Sequence, residues 1–317
     1  MKSFLFAALF LLAACAPAAT NAPAFGAAVP NQTAVHVDDP NQPHAHIPDA
    51  QAKADLQVII VPSEIIVGAN RFAVGLIDPK RGMLHDAIVH FHYFDLRNPN
   101  QPALESEANA TRVQTPDGLT TIFTHTRAFD RAGAWGVEVQ ARLPNGDAAL
   151  QRVLFQVVKD SPTKKPGDAA PKIKTLTAAD AANDYTKLTS AATPNAAFYR
   201  VSLDDALASG KPTVLLFSTP AFCQTRLCGP AYEIMSDAQK RVGDAVNWIH
   251  VEVFTGLPNP AANNFARAPA MNAFGLTTEP WLFVMDRAGK IFYRVEGVFT
   301  AEEVERQVSN ILNSKPY

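Results

Sequence analysis

The chain divides into an all-β unit followed by an α/β unit, and three observations predict this. Residues 55–160 hold short apolar runs separated by turn residues, without a cysteine. Residues 161–174 are polar and rich in proline and lysine. Residues 175–317 alternate helix-like with strand-like segments. The 317 residues contain only three cysteines, Cys15, Cys223 and Cys228.

The N-terminus reads as an address. Lys2 supplies a positive start, Phe4 to Leu12 an apolar run, and Leu12-Ala13-Ala14-Cys15 a processing context. The run is too short to span a bilayer as a mature helix. Small residues ending in Cys15 resemble a bacterial lipobox, which implies residues 1–15 as a lipoprotein signal and Cys15 as a lipid-bearing residue that tethers a soluble body to a membrane. An ordinary secretory leader is the alternative. Either way the expected location is extracytoplasmic, where disulfides form and persist. Residues 16–54 are rich in Ala, Pro, Asn and Gln with no apolar period and read as a disordered tether. His36, His44 and His46 within it are either metal-binding or part of a polar linker.

Strands are expected at Leu56 to Val61, Arg71 to Ile77, Ala87 to Leu96, Leu119 to Arg127, Gly133 to Leu143 and Leu150 to Val158. The turn signals between them are Gly68-Ala69-Asn70, Asp78-Pro79, Asn98-Pro99-Asn100, Pro116-Asp117-Gly118 and Pro144-Asn145-Gly146. Asn145-Gly146 between two strands marks a hairpin. Val137, Val139 and Ala141 alternate with Glu138, Gln140 and Arg142, which predicts one buried and one wet face. Evenly spaced strands over about a hundred residues suggest an immunoglobulin-like sandwich. The run Ala132 to Val139 resembles the late hairpin of YtkA-like sandwich domains of bacterial envelope proteins.

Ser161 to Lys174 reads as a semi-stiff linker. A short helix is expected near Ala178 to Leu188. Ser202 is a candidate N-cap for a helix from Leu203 to Ser209, with Gly210 as its stop. Thr213 to Ser218 is apolar without alternation and reads as a strand buried on both faces. Pro230 opens a helix to about Val242. Val246 to Phe254 is strand-like, and Ala262 to Phe274 contains a helix. Trp281 to Asp286 and Ile291 to Glu296 form a hairpin around Arg287-Ala288-Gly289-Lys290. Ala301 to Asn313 closes the chain as a helix, with Thr300 as N-cap and Glu303 completing a capping box.

Cys223 and Cys228 lie between the strand ending at Ser218 and the helix at Pro230. Two thiols this close are a structural disulfide, a cycling dithiol, or half of a metal site. On a regular helix, positions five apart point about 140° away from each other. A disulfide needs Cα atoms within about 7 Å. The segment must therefore be wound irregularly if the two sulfurs meet.

From residue 198 onward the order of elements resembles the thioredoxin fold. The dithiol after the first strand, Thr278-Glu279-Pro280-Trp281 at a cis-proline position, and Gly297 before the last helix carry that resemblance. It implies thiol–disulfide exchange with protein disulfides or dithiols, needing no cofactor and no metal. Cys223 and Cys228 are the implied catalytic pair, with Cys223 as attacking thiol and Cys228 as resolver, although Cys228 holds the helix position. Glu279, Pro280 and Phe222 are the implied substrate contacts, with Pro220 and Trp281 on an apolar rim. Arg226 is a candidate to stabilise the thiolate.

Two features depart from the family: four residues separate the cysteines, and Val214 to Phe217 lacks the buried acid often found on that strand. Two alternatives stay open. One is a copper-binding protein, drawing on thiolate and imidazole ligands. His250 reads as a packed strand histidine; in the first unit His90 and His92 share one strand face, Met83 and His85 lie in a loop, and His125 falls on a neighbouring strand, a candidate surface copper site. The other alternative is a non-enzymatic envelope module with a structural disulfide. The net charge of −2 and the lack of basic runs give no nucleic-acid signal. No serine-nucleophile or phosphate-loop motif supports a hydrolase or nucleotide enzyme.

Overall fold

The structure is a computed structural model that describes residues 56–314. The leader, Cys15, the tether and His36, His44 and His46 lie outside the described residues. No helix among the described residues is long and apolar enough to cross a membrane.

The first unit is entirely strand: β1 (Gln57–Ile60), β2 (Ile65–Ile66), β3 (Gly68–Asp78), β4 (Gly82–Met83), β5 (Ile88–Asp95), β6 (Ala103–Asn109), β7 (Thr111–Gln114), β8 (Thr121–Phe129), β9 (Gly133–Arg142) and β10 (Ala148–Val158). One sheet runs β1-β3-β8-β7, with β4 paired to β3; the other runs β2-β10-β9-β5-β6. A single apolar core joins them. Phe72, Val74 and Leu76 of β3 meet Phe91 and Tyr93 of β5 and Val137 and Val139 of β9. The Asn145-Gly146 signal is realised as the β9–β10 hairpin, with Gly146 at φ 86°. Gly68-Ala69-Asn70 is not a turn but the start of β3, where the Asn70 side chain bonds the backbone of Ile66 and Gly68.

Two further points in this unit depart from expectation. β6 and β7 had no signal, because β6 is an edge strand reading Ala-Leu-Glu-Ser-Glu-Ala-Asn with one large apolar residue. Glu138 and Gln140 are not wet: both are buried, because they bond each other and His92 across the outer face of the sheet.

The second unit is a four-stranded mixed sheet in the order β12-β11-β13-β14, made of β11 (Thr213–Ser218), β12 (Asn247–Glu252), β13 (Trp281–Met285) and β14 (Ile291–Glu296). Its helices are α1 (Leu203–Ala208), α2 (Cys228–Val242), α3 (Pro269–Ala273) and α4 (Ala301–Asn313). Every residue of β11 is buried. Val214 and Leu216 face Met235, Ala238, Val304 and Val308 of α2 and α4. Leu215 and Phe217 face Leu203, Ala206 and Met271 of α1 and α3. The absence of polar alternation in the strand thus reports helices on both sides.

No α-helix forms at Ala178 to Leu188. Thr177 and Asp180 bond each other and the local backbone, Ala182 and Asn183 are left-handed, and only a 3-10 turn at Tyr185–Lys187 remains. Side chains that bond nearby backbone offer it an alternative to helix. The region Ala262 to Phe274 likewise yields a 3-10 turn, Pro260–Asn263, and the short α3. Thr300 does cap α4, accepting from Glu303 N at 3.1 Å. The reciprocal half of the box is absent, because the Glu303 carboxylate binds Arg71 and Tyr293 instead.

That diversion fastens the two units together. Arg71 Nε lies 2.7 Å from Glu303, both side chains being about 10% exposed. Arg294 pairs with Glu64 at 2.7 Å, and Ser63 donates through N and Oγ to Glu296. A small apolar joint adds Ala73, Val113 and Ile122 from the sandwich to Val298, with Val61 and Leu227 against it. Residues 161–174 bond along the second unit: Gly167 N to Ile291 O, Ala170 N to Gly289 O, and Lys164 N to Phe274 O. They pass so close to Gly275 (φ +70°) that a Cβ there would lie 1.9 Å from Pro162 O.

Candidate functional site at the dithiol

Three strands deliver chemistry to one edge of the second sheet. β11 runs parallel to β12, so Ser218 is level with Glu252. β13 runs antiparallel to β11, so Phe217 is level with Trp281 and the preceding Glu279–Pro280 peptide abuts the loop after β11. That peptide is cis, and Pro280 is buried. The carbonyl of Pro280 accepts from Gly297 N at 2.9 Å.

The loop from Thr219 to Leu227 is irregular, as the five-residue spacing requires. Phe222 N bonds Thr219 O, Arg226 takes a left-handed backbone at φ 61°, and α2 starts on Cys228. This winding brings the Cys228 thiol near enough to the Cys223 sulfur for each to act on the other's protonation. The backbone N–H of Cys228 also donates to Cys223 Sγ at 3.4 Å, and Thr225 Oγ1 lies 3.3 Å from the same sulfur. Both cysteines are free thiols here, Cys223 half-buried and Cys228 fully buried.

The two thiols titrate far apart. The hydrogen bond from Cys228, joined by those from Thr225 and the Cys228 backbone, lowers the Cys223 thiol to about 5. The same thiol–thiol bond, with burial, drives Cys228 far up. Hydrogen bonding to the charged form stabilises it, and one shared proton cannot leave both sulfurs together. Of the two, Cys223 therefore ionises first and Cys228 last. The dominant stabilisers of the anion are hydrogen bonds; Arg226 is exposed on the loop and is not among the leading causes of the shift.

Two carboxyl groups flank the pair. Burial pushes Glu252 up to about 7, and the charge of Cys223 adds to that. Its Oε2 accepts from Ser190 N and Oγ at 2.9 and 3.0 Å. The Thr219 hydroxyl is near this carboxyl, yet neither Thr219 Oγ1 nor Glu252 Oε1 completes a full hydrogen bond. Burial also raises Glu279, again with the Cys223 charge added; Arg267 opposes this. Glu279 in turn raises Cys228, so its field reaches both sulfurs. The carboxyl groups near the dithiol thus come from β12 and from the loop before β13. Sequence reading passed over Glu252 because it looks like one more residue of an alternating strand; its register with Ser218 was the only available sign.

Of the expected rim, Phe222 is half-buried and makes an edge contact with Phe265 at 6.1 Å, which packs on Phe254 at 5.3 Å. Trp281 does not join it. It is buried, stacks on Phe283 and donates Nε1 to Thr278 Oγ1, because its side chain points into the α1–α3 core. His250 is a packed histidine: Tyr199 OH at 2.8 Å holds Nδ1, Ser218 Oγ at 2.9 Å holds Nε2, and burial lowers it to about 3.

Neither a protein-family model nor a curated protein matches this chain. Among solved structures, a thioredoxin-family thiol:disulfide interchange protein from Chlorobium tepidum TLS is similar at 19% identity and a TM-score of 0.33, over 47% of this chain and 98% of that one. A putative thiol:disulfide interchange protein DsbE from Chlorobium tepidum is similar at 19% identity and 0.33, over 48% and 100%. A lipoprotein from Bacteroides thetaiotaomicron is similar at 18% identity and 0.19, over 39% and 88%.

Proposed function

We propose that the chain is a thiol–disulfide oxidoreductase whose second unit is thioredoxin-like and whose first is an immunoglobulin-like sandwich. It works outside the cytoplasm, held to a bacterial membrane by a lipid on Cys15, on protein disulfides or dithiols. The observation that carries this reading is the pairing, in the loop after the central strand, of a half-buried Cys223 whose Sγ accepts from Cys228 N at 3.4 Å and whose thiol is lowered to about 5 with a buried Cys228. The thiolate is the nucleophile in disulfide exchange, and a structural buried cysteine is inert.

The steps follow from this asymmetry. The Cys223 thiolate attacks one sulfur of a substrate disulfide and expels the other substrate sulfur as a thiolate. Cys228 then loses its proton and attacks Cys223 Sγ, which breaks the mixed disulfide and releases the second substrate thiolate. The substrate disulfide is reduced to a dithiol, and the protein dithiol is oxidised to Cys223–Cys228. Once Cys223 is in the mixed disulfide it no longer holds a negative charge, so the Cys228 proton needs another acceptor. We assign Glu279, whose charge acts on Cys228 directly. Glu252, protonated below about 7, tunes the anion at Cys223. The backbone edge at Glu279–Pro280 and the rim at Phe222 receive the substrate segment.

Run in reverse, the same steps oxidise a dithiol. A stabilised thiolate favours the reduced pair and so makes its disulfide the more oxidising one. Insulin reduction and oxidation of a reduced test protein, measured on the wild-type chain and on Cys223→Ser and Cys228→Ser, test the reading. Loss of both activities in each variant is expected; full activity in the double variant would refute it.

A further inference from the structure

The outer face of the sandwich carries a second cluster, remote in sequence from the dithiol. In β5 the core takes Val89, Phe91 and Tyr93, so the alternation turns His90 and His92 to the other face. The register sets His90 between Asn109 of β6 and Gln140 of β9, and His92 between Glu107 and Glu138. The two imidazoles meet edge to face at 5.0 Å.

Both rings are oriented from behind. His90 Nδ1 lies 2.8 Å from Asn109 Oδ1, and His92 Nδ1 lies 3.0 Å from Glu138 Oε1. Glu138 is itself fixed by Arg152 at 2.7 Å and by Gln140 Nε2 at 2.7 Å. With Nδ1 engaged on that side, by Asn109 for His90 and by Glu138 and Gln140 for His92, each ring presents Nε2 on the other. Those Nε2 atoms face Glu107 Oε2, at 3.8 Å from His90 and 3.3 Å from His92. One ligand atom from each of the three residues fits within a 4.8 Å cluster. Two ring nitrogens and a carboxylate oxygen gathered this closely are a donor set suited to a cation.

We propose that His90 Nε2, His92 Nε2 and Glu107 form a binding site for a divalent transition-metal ion, Zn2+ or Cu2+. Ligands about 2.0–2.2 Å from such an ion stand about 3.3–3.5 Å apart when tetrahedral, close to the separations present. Imidazole donors select this class over Mg2+ and Ca2+, which prefer oxygen. Acceptors at Nδ1 of metal-binding histidines are the usual supporting shell; Asn109 and Glu138 fill that role. Three protein ligands leave a position open, which suits a site that exchanges its ion or completes it with a water or a partner's side chain.

The test uses the full chain with Cys15, Cys223 and Cys228 changed to Ser and His36, His44 and His46 changed to Gln, so that the thiols and the histidines of residues 16–54 are removed. Calorimetric titration with Cu2+, Zn2+ and Mg2+ in turn is expected to show one equivalent each of Cu2+ and Zn2+, Cu2+ the tighter, and none of Mg2+. His90→Gln with His92→Gln abolishes that equivalent, Glu107→Gln weakens it at least about tenfold, and Asn109→Leu weakens it about 10–100-fold. Electron paramagnetic resonance of the Cu2+ form shows coupling to two imidazole nitrogens, which decides the matter should the double histidine variant fail to fold. No binding, because a shared proton alone joins the histidines to Glu107, overturns the proposal. So does binding unchanged in a folded double variant, or a spectrum with fewer than two imidazoles.

Discussion

Removing the Cys228 thiol while leaving Cys223 in place isolates the bond that makes Cys223 an anion. In Cys228→Ala the leading stabiliser of the thiolate is gone, while Thr225 Oγ1 and the residue 228 N–H stay. A hydrogen bond to a charged group contributes about 1.5–3 kcal/mol, which corresponds to about 1–2 pKa units. Cys223 is only half-buried, and water takes over part of the lost donation, so a rise of about 1 unit is expected. The assay is the rate of alkylation by iodoacetamide against pH, which follows the thiolate fraction. Wild type should show a midpoint at about 5, Cys228→Ala one near ~6, and Cys228→Ser, which keeps a donor, one between them. The sign for stability follows. A lowered folded-state value gives stabilisation that is full above the unfolded thiol's value and is lost as pH falls through about 5. The reduced wild type should therefore lose stability relative to Cys223→Ala over that descent. A wild-type midpoint at the ordinary thiol value, or one that Cys228→Ala leaves in place, would refute the shared proton.

Glu279→Gln should slow resolution of a trapped mixed disulfide about tenfold or more, read by quenched-flow mass spectrometry, while leaving the first attack intact. Glu252 is held protonated in the folded chain, so its contribution is present below the usual carboxylate value and is lost as pH rises through about 7; Glu252→Gln should flatten that decline in urea-melt stability. Arg71→Ala leaves the Glu303 carboxylate unpaired at the joint between units and should cost about 3 kcal/mol; a change under ~0.5 kcal/mol would mean that water screens the pair. Gly275→Ala drives a methyl into Pro162 O, so trypsin should cut after Lys164 faster than in wild type, and an unchanged digestion rate would show that the close approach relaxes freely.

What the sequence disclosed, and what it hid, follows from the range of each interaction. β11 was legible because burial on both faces erases polar alternation, and α4 because Thr300 sits where its oxygen meets the Glu303 N–H. β6 was hidden because an edge strand is held by main-chain bonds that leave no apolar trace. Ala178 to Leu188 misled because its alanines favour helix, whereas Thr177, Asp180 and Asp184 bind the backbone locally. At the site, Cys223 and Cys228 were evident from the sequence, and their order as attacker and resolver was implied only by resemblance and chain order. Those roles depend on a left-handed Arg226 and on which thiol the helix start buries. Glu252 and the Glu107–His92–Glu138 row became visible only through cross-strand register, which one chain segment cannot report.

The central claim is that Cys223 and Cys228 exchange a proton and then a bond. Equilibrating the full chain with glutathione at graded potentials and weighing it after acid quench tests this most directly. The account predicts a reversible loss of two hydrogens, located by proteolysis to a Cys223–Cys228 link, with a midpoint well above the roughly −300 mV below which structural disulfides lie. A pair that never closes under oxidised glutathione, or one that closes and then resists reduction across the whole range, would contradict it.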